Sequence, residues 1–202
     1  MKRLMISFLI GIMVFSVTAC GNKTSEKDVK SDFENSVFIG DSITEGFSFN
    51  EILPKESVMA GAGATAGYIY EEYMDDLAGK KPDNIFIMLG SDDMLMPVDD
   101  PKELFITDLT KLINKIKEDL PDSKIYIQSI TPVTQEALAQ EPRYEGIEEY
   151  NETLKELVTN LAVNYVEIGE LVKENPGLYA EDGIHFKKEF YQLWLESISK
   201  LM

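Results

Sequence analysis

Three residues able to carry acyl-transfer chemistry lie far apart in this chain of 202 residues: Ser42 in the tripeptide Gly40-Asp41-Ser42, His185, and Asp182 three positions before it. A hydroxyl is a poor nucleophile at neutral pH and needs a base whose pKa lies near the working pH, which makes imidazole the usual partner. His185 is the only histidine in the sequence. Gly40 permits a tight exit from a strand, so Ser42 can open the following helix with its own N–H lacking an intrahelical partner. The same helix end favours negative charge and can help hold the oxyanion formed when a carbonyl is attacked. In the polar turn Glu181-Asp182-Gly183-Ile184-His185-Phe186, Asp182 can fold back to the imidazole Nδ1–H, fix its tautomer and stabilise the imidazolium. Each piece alone has a plainer explanation, since Gly-Asp-Ser is commonly a capped turn and a histidine here could simply cap the last helix. Taken together, the three point to a nucleophile, a base and an orienting acid.

Such groups converge only if the chain folds them to one rim. From Ser36 onward, short apolar runs alternate with longer segments of helical period, the pattern of an α/β fold with a mostly parallel five-stranded sheet covered on both faces, a three-layer α/β/α sandwich. Strands are expected over residues 37–39, 57–60, 85–89, 124–130 and 165–168. Phe105, Leu109, Leu112, Ile113, Ile116 and Leu120 recur at helical spacing, as do Ile147, Tyr150, Leu154, Leu157, Val158 and Leu161. Phe190, Leu193, Trp194, Ile198 and Leu201 mark a last helix. In parallel α/β sheets ligands bind beyond the carboxyl ends of the strands. Three of those ends carry Gly40-Asp41-Ser42, Gly61-Ala62-Gly63 and Gly90-Ser91-Asp92-Asp93. The stretches 94–101 and 131–144, which follow the third and fourth strands, are expected to line the site.

Gly40-Asp41-Ser42-Ile43-Thr44 resembles the first block of the SGNH or GDSL hydrolases, and Asp182-Gly183-Ile184-His185 resembles their last. Tyr150-Asn151-Glu152-Thr153-Leu154 is similar to a helical run of many bacterial members. The resemblance covers about residue 36 to the end, with the blocks in the family's order, and implies a flavodoxin-like SGNH fold. It implies Ser42 as nucleophile, His185 as general base and then acid, and Asp182 as the residue that orients it. Ser42 N–H and the second-block glycine would donate to the oxyanion; that glycine corresponds to Gly61, with Gly63 close by. The third block departs: where the family has Gly-x-Asn-Asp, this chain has Gly90-Ser91-Asp92-Asp93. An ionised Asp92 has no proton to donate, and loss of one such donor costs about 2.7–4 kcal/mol, or roughly 100- to 1000-fold in rate. Three readings follow: Asp92 is kept protonated beside Asp93 and donates; it turns away and leaves a two-donor hole, the reading favoured here; or the protein is a weak enzyme. The implied reaction is removal of a short acyl group, an acetyl foremost, from a carbohydrate or lipid ester through a serine acyl-enzyme. The competing class is a binding protein that holds a glycan or cell-wall fragment on the same fold without turning it over.

Composition and the N-terminus narrow the setting. Acidic residues number 36 against 19 Lys plus Arg, a net charge of −17, which repels phosphate backbones and anionic lipids and makes nucleic acid a poor partner. One cysteine and one histidine exclude a zinc site built from several imidazoles or thiolates. The chemistry calls for no metal and no organic cofactor. Lys2 and Arg3 precede an apolar stretch from Leu4 to Val17, too short to span a bilayer and of a length suited to a secretory signal. Val17-Thr18-Ala19-Cys20-Gly21 resembles a bacterial lipobox, in which the cysteine becomes the lipidated first residue. The expected organisation is a signal peptide over 1–19, lipidated Cys20 with a flexible polar tether over 20–35, and a hydrolase domain over 36–202. The expected partners are a small-molecule or glycan ester and the membrane, reached through lipid alone at the extracellular face of the bacterial cell membrane. A monomer is expected.

Overall fold

The computed structural model describes residues 26–202; the signal segment and Cys20 lie outside the described residues. In chain order the elements are α1 (Glu26–Ser31), β1 (Ser36–Gly40), α2 (Ser42–Phe49), β2 (Val58–Ala60), α3 (Ala66–Lys80), β3 (Asn84–Met88), α4 (Pro101–Asp119), β4 (Lys124–Gln128), α5 (Gln135–Gln140), α6 (Ile147–Leu161), β5 (Asn164–Val166), α7 (Gly169–Glu174) and α8 (Lys188–Ser199). The five strands form one parallel sheet in the order β2-β1-β3-β4-β5. All five expected strands are present, each within a few residues of its expected bounds. The helical periodicities at 105–120, 147–161 and 190–201 correspond to α4, α6 and α8.

Alternation along the strands sorts the side chains into two chemically different layers. Val37, Ile39, Ile85, Ile87, Ile125 and Ile127 form an aliphatic face covered by α3, α4 and α6. The opposite face carries Phe38, Phe86 and Tyr126, which are direct partners in register on β1, β3 and β4. Their rings stack across the sheet, with centroids 4.9 Å apart for Phe38 and Phe86 and 4.8 Å for Phe86 and Tyr126. Phe47 of α2 and Phe190, Tyr191 and Trp194 of α8 close over this ladder. Trp194 is fully buried, and its indole N–H donates to Gln128 Oε1 at 2.7 Å. A buried indole needs such a partner, and the bond ties α8 to the end of β4.

The packed domain begins earlier than Ser36. Within the tether expected over 20–35, residues 26–31 form α1 and Phe33 is 1% exposed, edge-on to Phe38 and Phe86. Phe33, together with Val29 of α1 packed against the same cluster, docks this segment onto the aromatic layer. Among the described residues no helix is long and apolar enough to cross a membrane.

Candidate active site

Parallel register sets the rim. Gly40 is opposite Ala60 on one side and Met88 on the other, so the chain leaves β1, β2 and β3 side by side. A Cβ on Gly40 would lie 2.5 Å from the Met88 carbonyl and 2.1 Å from Thr44 Oγ1; close approach demands glycine there. Asp41 then caps α2, its Oδ1 accepting the Ile43 N–H at 2.9 Å, and Ser42 stands at the first helical position.

The other half of the site comes from the loop before α8. Tyr179 and Phe186 form an isolated antiparallel bridge, and the Ala180 N–H donates to the His185 carbonyl at 2.8 Å. The loop therefore doubles back and sets Asp182 against His185. Its apex is Gly183 at φ +71°, where a Cβ would also lie 2.1 Å from Thr134 Oγ1. Thr134 N–H donates to the Gly183 carbonyl at 2.9 Å, so the start of α5 buttresses the turn.

Ser42, His185 and Asp182 meet. His185 Nε2 lies 2.8 Å from Ser42 Oγ, and His185 Nδ1 lies 2.6 Å from Asp182 Oδ2. Asp182 Oδ1 accepts the N–H groups of Ile184 and His185, each at 2.9 Å. Partial burial pushes the Asp182 carboxyl up, but these amides and the imidazole outweigh it and hold the group below its ordinary value. An acceptor kept ionised in this way selects the Nδ1–H tautomer, which leaves Nε2 to accept from the serine hydroxyl.

Beneath the rim is a group of carboxyls. Asp41 is 1% exposed; burial, augmented by the charge of Asp92, raises it to about 6 against the pull of the Ser91 hydroxyl and the Ile43 and Thr44 amides. The Ser91 hydroxyl donates to Asp41 Oδ2. Asp93 is 3% exposed and is raised to about 7, mainly by burial and further by the charge of Asp41, with the Ala66 amide opposing. Asp92 is half-buried and raised by that burial, while the field of His185 lowers it. Among the described residues no group of three or more His, Cys, Asp or Glu side chains is arranged to hold a metal ion.

Gly61 follows Ala60, the sheet partner of Gly40, and Gly63 is the left-handed residue of the same turn at φ +75°. Of the stretches expected to line the site, Met94 is instead 3% exposed in the aliphatic core, because the turn after β3 points it under α4. Pro132, Val133 and Tyr144 line a recess of about 520 Å³ with Ile130, Asn151 and Glu167. None of the three catalytic candidates lines it; the Tyr144 phenol is raised by its burial and further by the charges of Asp92 and Asp41. Asn151, noted in sequence only as part of a family-like run, donates to and accepts from the backbone of Ile130 at 2.9 and 2.8 Å and so fixes the β4 exit. Tyr144 belongs to the 131–144 stretch expected to line the site and does line the recess; Ser91 and Asp93 stand in the third strand-end block, but their bonds to Asp41 and Ala66 carried no local signal, since each joins segments distant in sequence.

A family model for GDSL-like lipases and acylhydrolases matches residues 38–193. The chain belongs to that family, and is an ester hydrolase of the SGNH type. Its fold is shared with a GDSL-like lipase from Bacteroides thetaiotaomicron, at TM-score 0.68 and 18% identity over 87% of this chain and 88% of that one. An acetyl xylan esterase superposes at TM-score 0.63 and 15% identity, covering 83% and 99%. A variant of a Geobacillus acetyl-xylooligosaccharide esterase does so at TM-score 0.59 and 19% identity, covering 81% and 91%. No curated protein matches the chain by sequence.

Proposed function

We propose that the protein is a serine esterase that removes short acyl groups, acetyl foremost, from carbohydrate or lipid esters outside the cell, held to the membrane by lipid on Cys20. The observation that carries the catalytic part is the hydrogen-bonded chain from Asp182 through His185 to Ser42, at 2.6 and 2.8 Å. In this reading Ser42 Oγ attacks the ester carbonyl while His185 Nε2 takes its proton. The Ser42 and Gly61 amides hold the oxyanion. His185 then returns the proton to the leaving alkoxide, an acyl-serine remains, and a water deprotonated by His185 releases the acid and restores the hydroxyl. Asp182 keeps the imidazole in its tautomer and balances its transient charge.

The carbohydrate preference draws support from the acetyl-sugar esterases that share the fold. The extracellular, anchored setting rests on the lipobox-like sequence. Hydrolysis of a chromogenic acetate ester, compared between the wild type and Ser42→Ala, tests the proposal, with a serine-directed phosphonate as label. We expect at least a 1000-fold loss of rate and no label in the variant. Equal rates with no label at Ser42 would favour the glycan-binding alternative, to which the replacement of the family's asparagine by Asp92 lends its support.

A further inference from the structure

Asp93 takes no part in the proton path, yet it spans two segments of the rim. It sits on the 3-10 turn that follows β3, and its Oδ1 accepts the N–H of Ala66, the first residue of α3, at 3.0 Å. Ala66 ends the turn that begins at Gly61. Within that turn Ala64 N–H donates to the Gly61 carbonyl at 3.1 Å, and Thr65 caps α3 by accepting the Tyr68 N–H at 3.2 Å. No atom lies within 4 Å of where a Cβ on Gly61 or Gly63 would be. The glycine side of the turn is therefore open, while its far end is anchored by Ala64 and Ala66, buried in the aliphatic core, and by the Asp93 bond. The second oxygen of Asp93 is buried without a hydrogen-bond partner. A buried carboxyl satisfied through one oxygen is a costly way to fill space, and here the one bond it makes joins the β3 exit to the β2 exit.

We propose that Asp93 is a positioning residue: through the Ala66 N–H it fixes the 61–65 turn, and with it the Gly61 amide, relative to Ser42, so that the oxyanion site is formed before substrate arrives. The inference rests on the proposed esterase reading. Its energetic logic is that a donor aimed in advance costs no reorganisation as charge develops. The charged groups that face Asp93 are Asp41 and Asp92, and the Tyr150 hydroxyl of α6 senses it as well.

Asp93→Asn keeps a carbonyl oxygen for Ala66, whereas Asp93→Leu has a similar volume and no acceptor. Steady-state hydrolysis of the acetate ester and hydrogen exchange of the 61–66 amides are measured for both in the full protein. For Asp93→Leu, kcat should fall tenfold or more with KM within twofold, and the 61–66 amides should exchange at least tenfold faster. For Asp93→Asn, kcat should stay within threefold and exchange near wild type. Ala66→Pro provides a second route if the leucine variant does not fold. It deletes the donor at a first-turn position where helices accept proline, after Thr65 in an extended conformation, and should reproduce the kcat loss. An undiminished kcat in Asp93→Leu or Ala66→Pro, equal impairment of the Asn and Leu variants, or unchanged exchange would overturn the inference. Failure of the esterase reading would show separately, as wild-type hydrolysis that does not depend on Ser42, and the exchange measurement would still decide the contact.

Discussion

Asp182 and Asp92 both feel the His185 imidazole, in opposite circumstances. Asp182 accepts two backbone amides and the ring N–H, whereas Asp92 is half-buried and its carboxyl is pushed up by that burial. Replacing Asp182 with Asn should remove the charge that balances the imidazolium and lower kcat by about 1000-fold or more, with KM little changed. Asp92→Asn should act the other way if the carboxyl faces the oxyanion: it introduces a donor and should raise kcat tenfold or more, part of the roughly 100- to 1000-fold a full donor supplies. A steady-state kcat at or below wild type would remove Asp92 from the hole. Ser42, Asp182 and His185 were legible in sequence because each is a distinctive residue in a short block. Asp93 was not, because nothing local shows that an acid on one turn will meet an amide on another 27 residues away.

Secondary elements hold these groups through a few specific bonds. Asn151 of α6 makes a paired contact with the Ile130 backbone. Asn151→Ala would strand both partners and should cost about 1–3 kcal/mol in urea unfolding. The opposite effect is expected at Ala162, which ends α6 in the left-handed region at φ 52°. Ala162→Gly should stabilise by roughly 1 kcal/mol, because a Cβ is disfavoured in that conformation. The strands were readable because buried parallel strands are nearly continuous apolar runs. Helix α3 escaped notice in sequence: its segment is rich in Glu, Asp and Tyr, and only Ala66, Ile69, Met74 and Leu77 are buried. The short α1 was hidden for the related reason that its polar region has only Val29 and Phe33 to pack against the core.

For the whole molecule, buried carboxyls set the pH response. Asp41 and Asp93 have folded values of about 6 and about 7 against an ordinary 3.8, so the folded state binds more protons than the unfolded chain between about pH 4 and 7. Stability should therefore fall as pH rises through that window and level off above it. Self-repulsion in a chain of net charge −17 adds in the same direction. Asp182 and Glu141, the latter held at about 2 by Arg143, work oppositely and lose their contribution as the medium becomes more acidic than their ordinary values. Thermal melting should show a maximum near pH 5, several degrees above the value at pH 8. In Asp93→Asn the difference between those two pH values should shrink; an unchanged difference would mean that Asp93 is not one of the groups responsible.

The bond from Trp194 to Gln128 gives the protein an internal optical reporter. The chain has one tryptophan, sealed from solvent on the helix that begins three residues after His185. Its fluorescence should be blue-shifted and resistant to quenching by acrylamide while that helix stays docked. Any solvent, ligand or substitution that loosens the histidine's support should turn the emission red before the rest of the fold gives way.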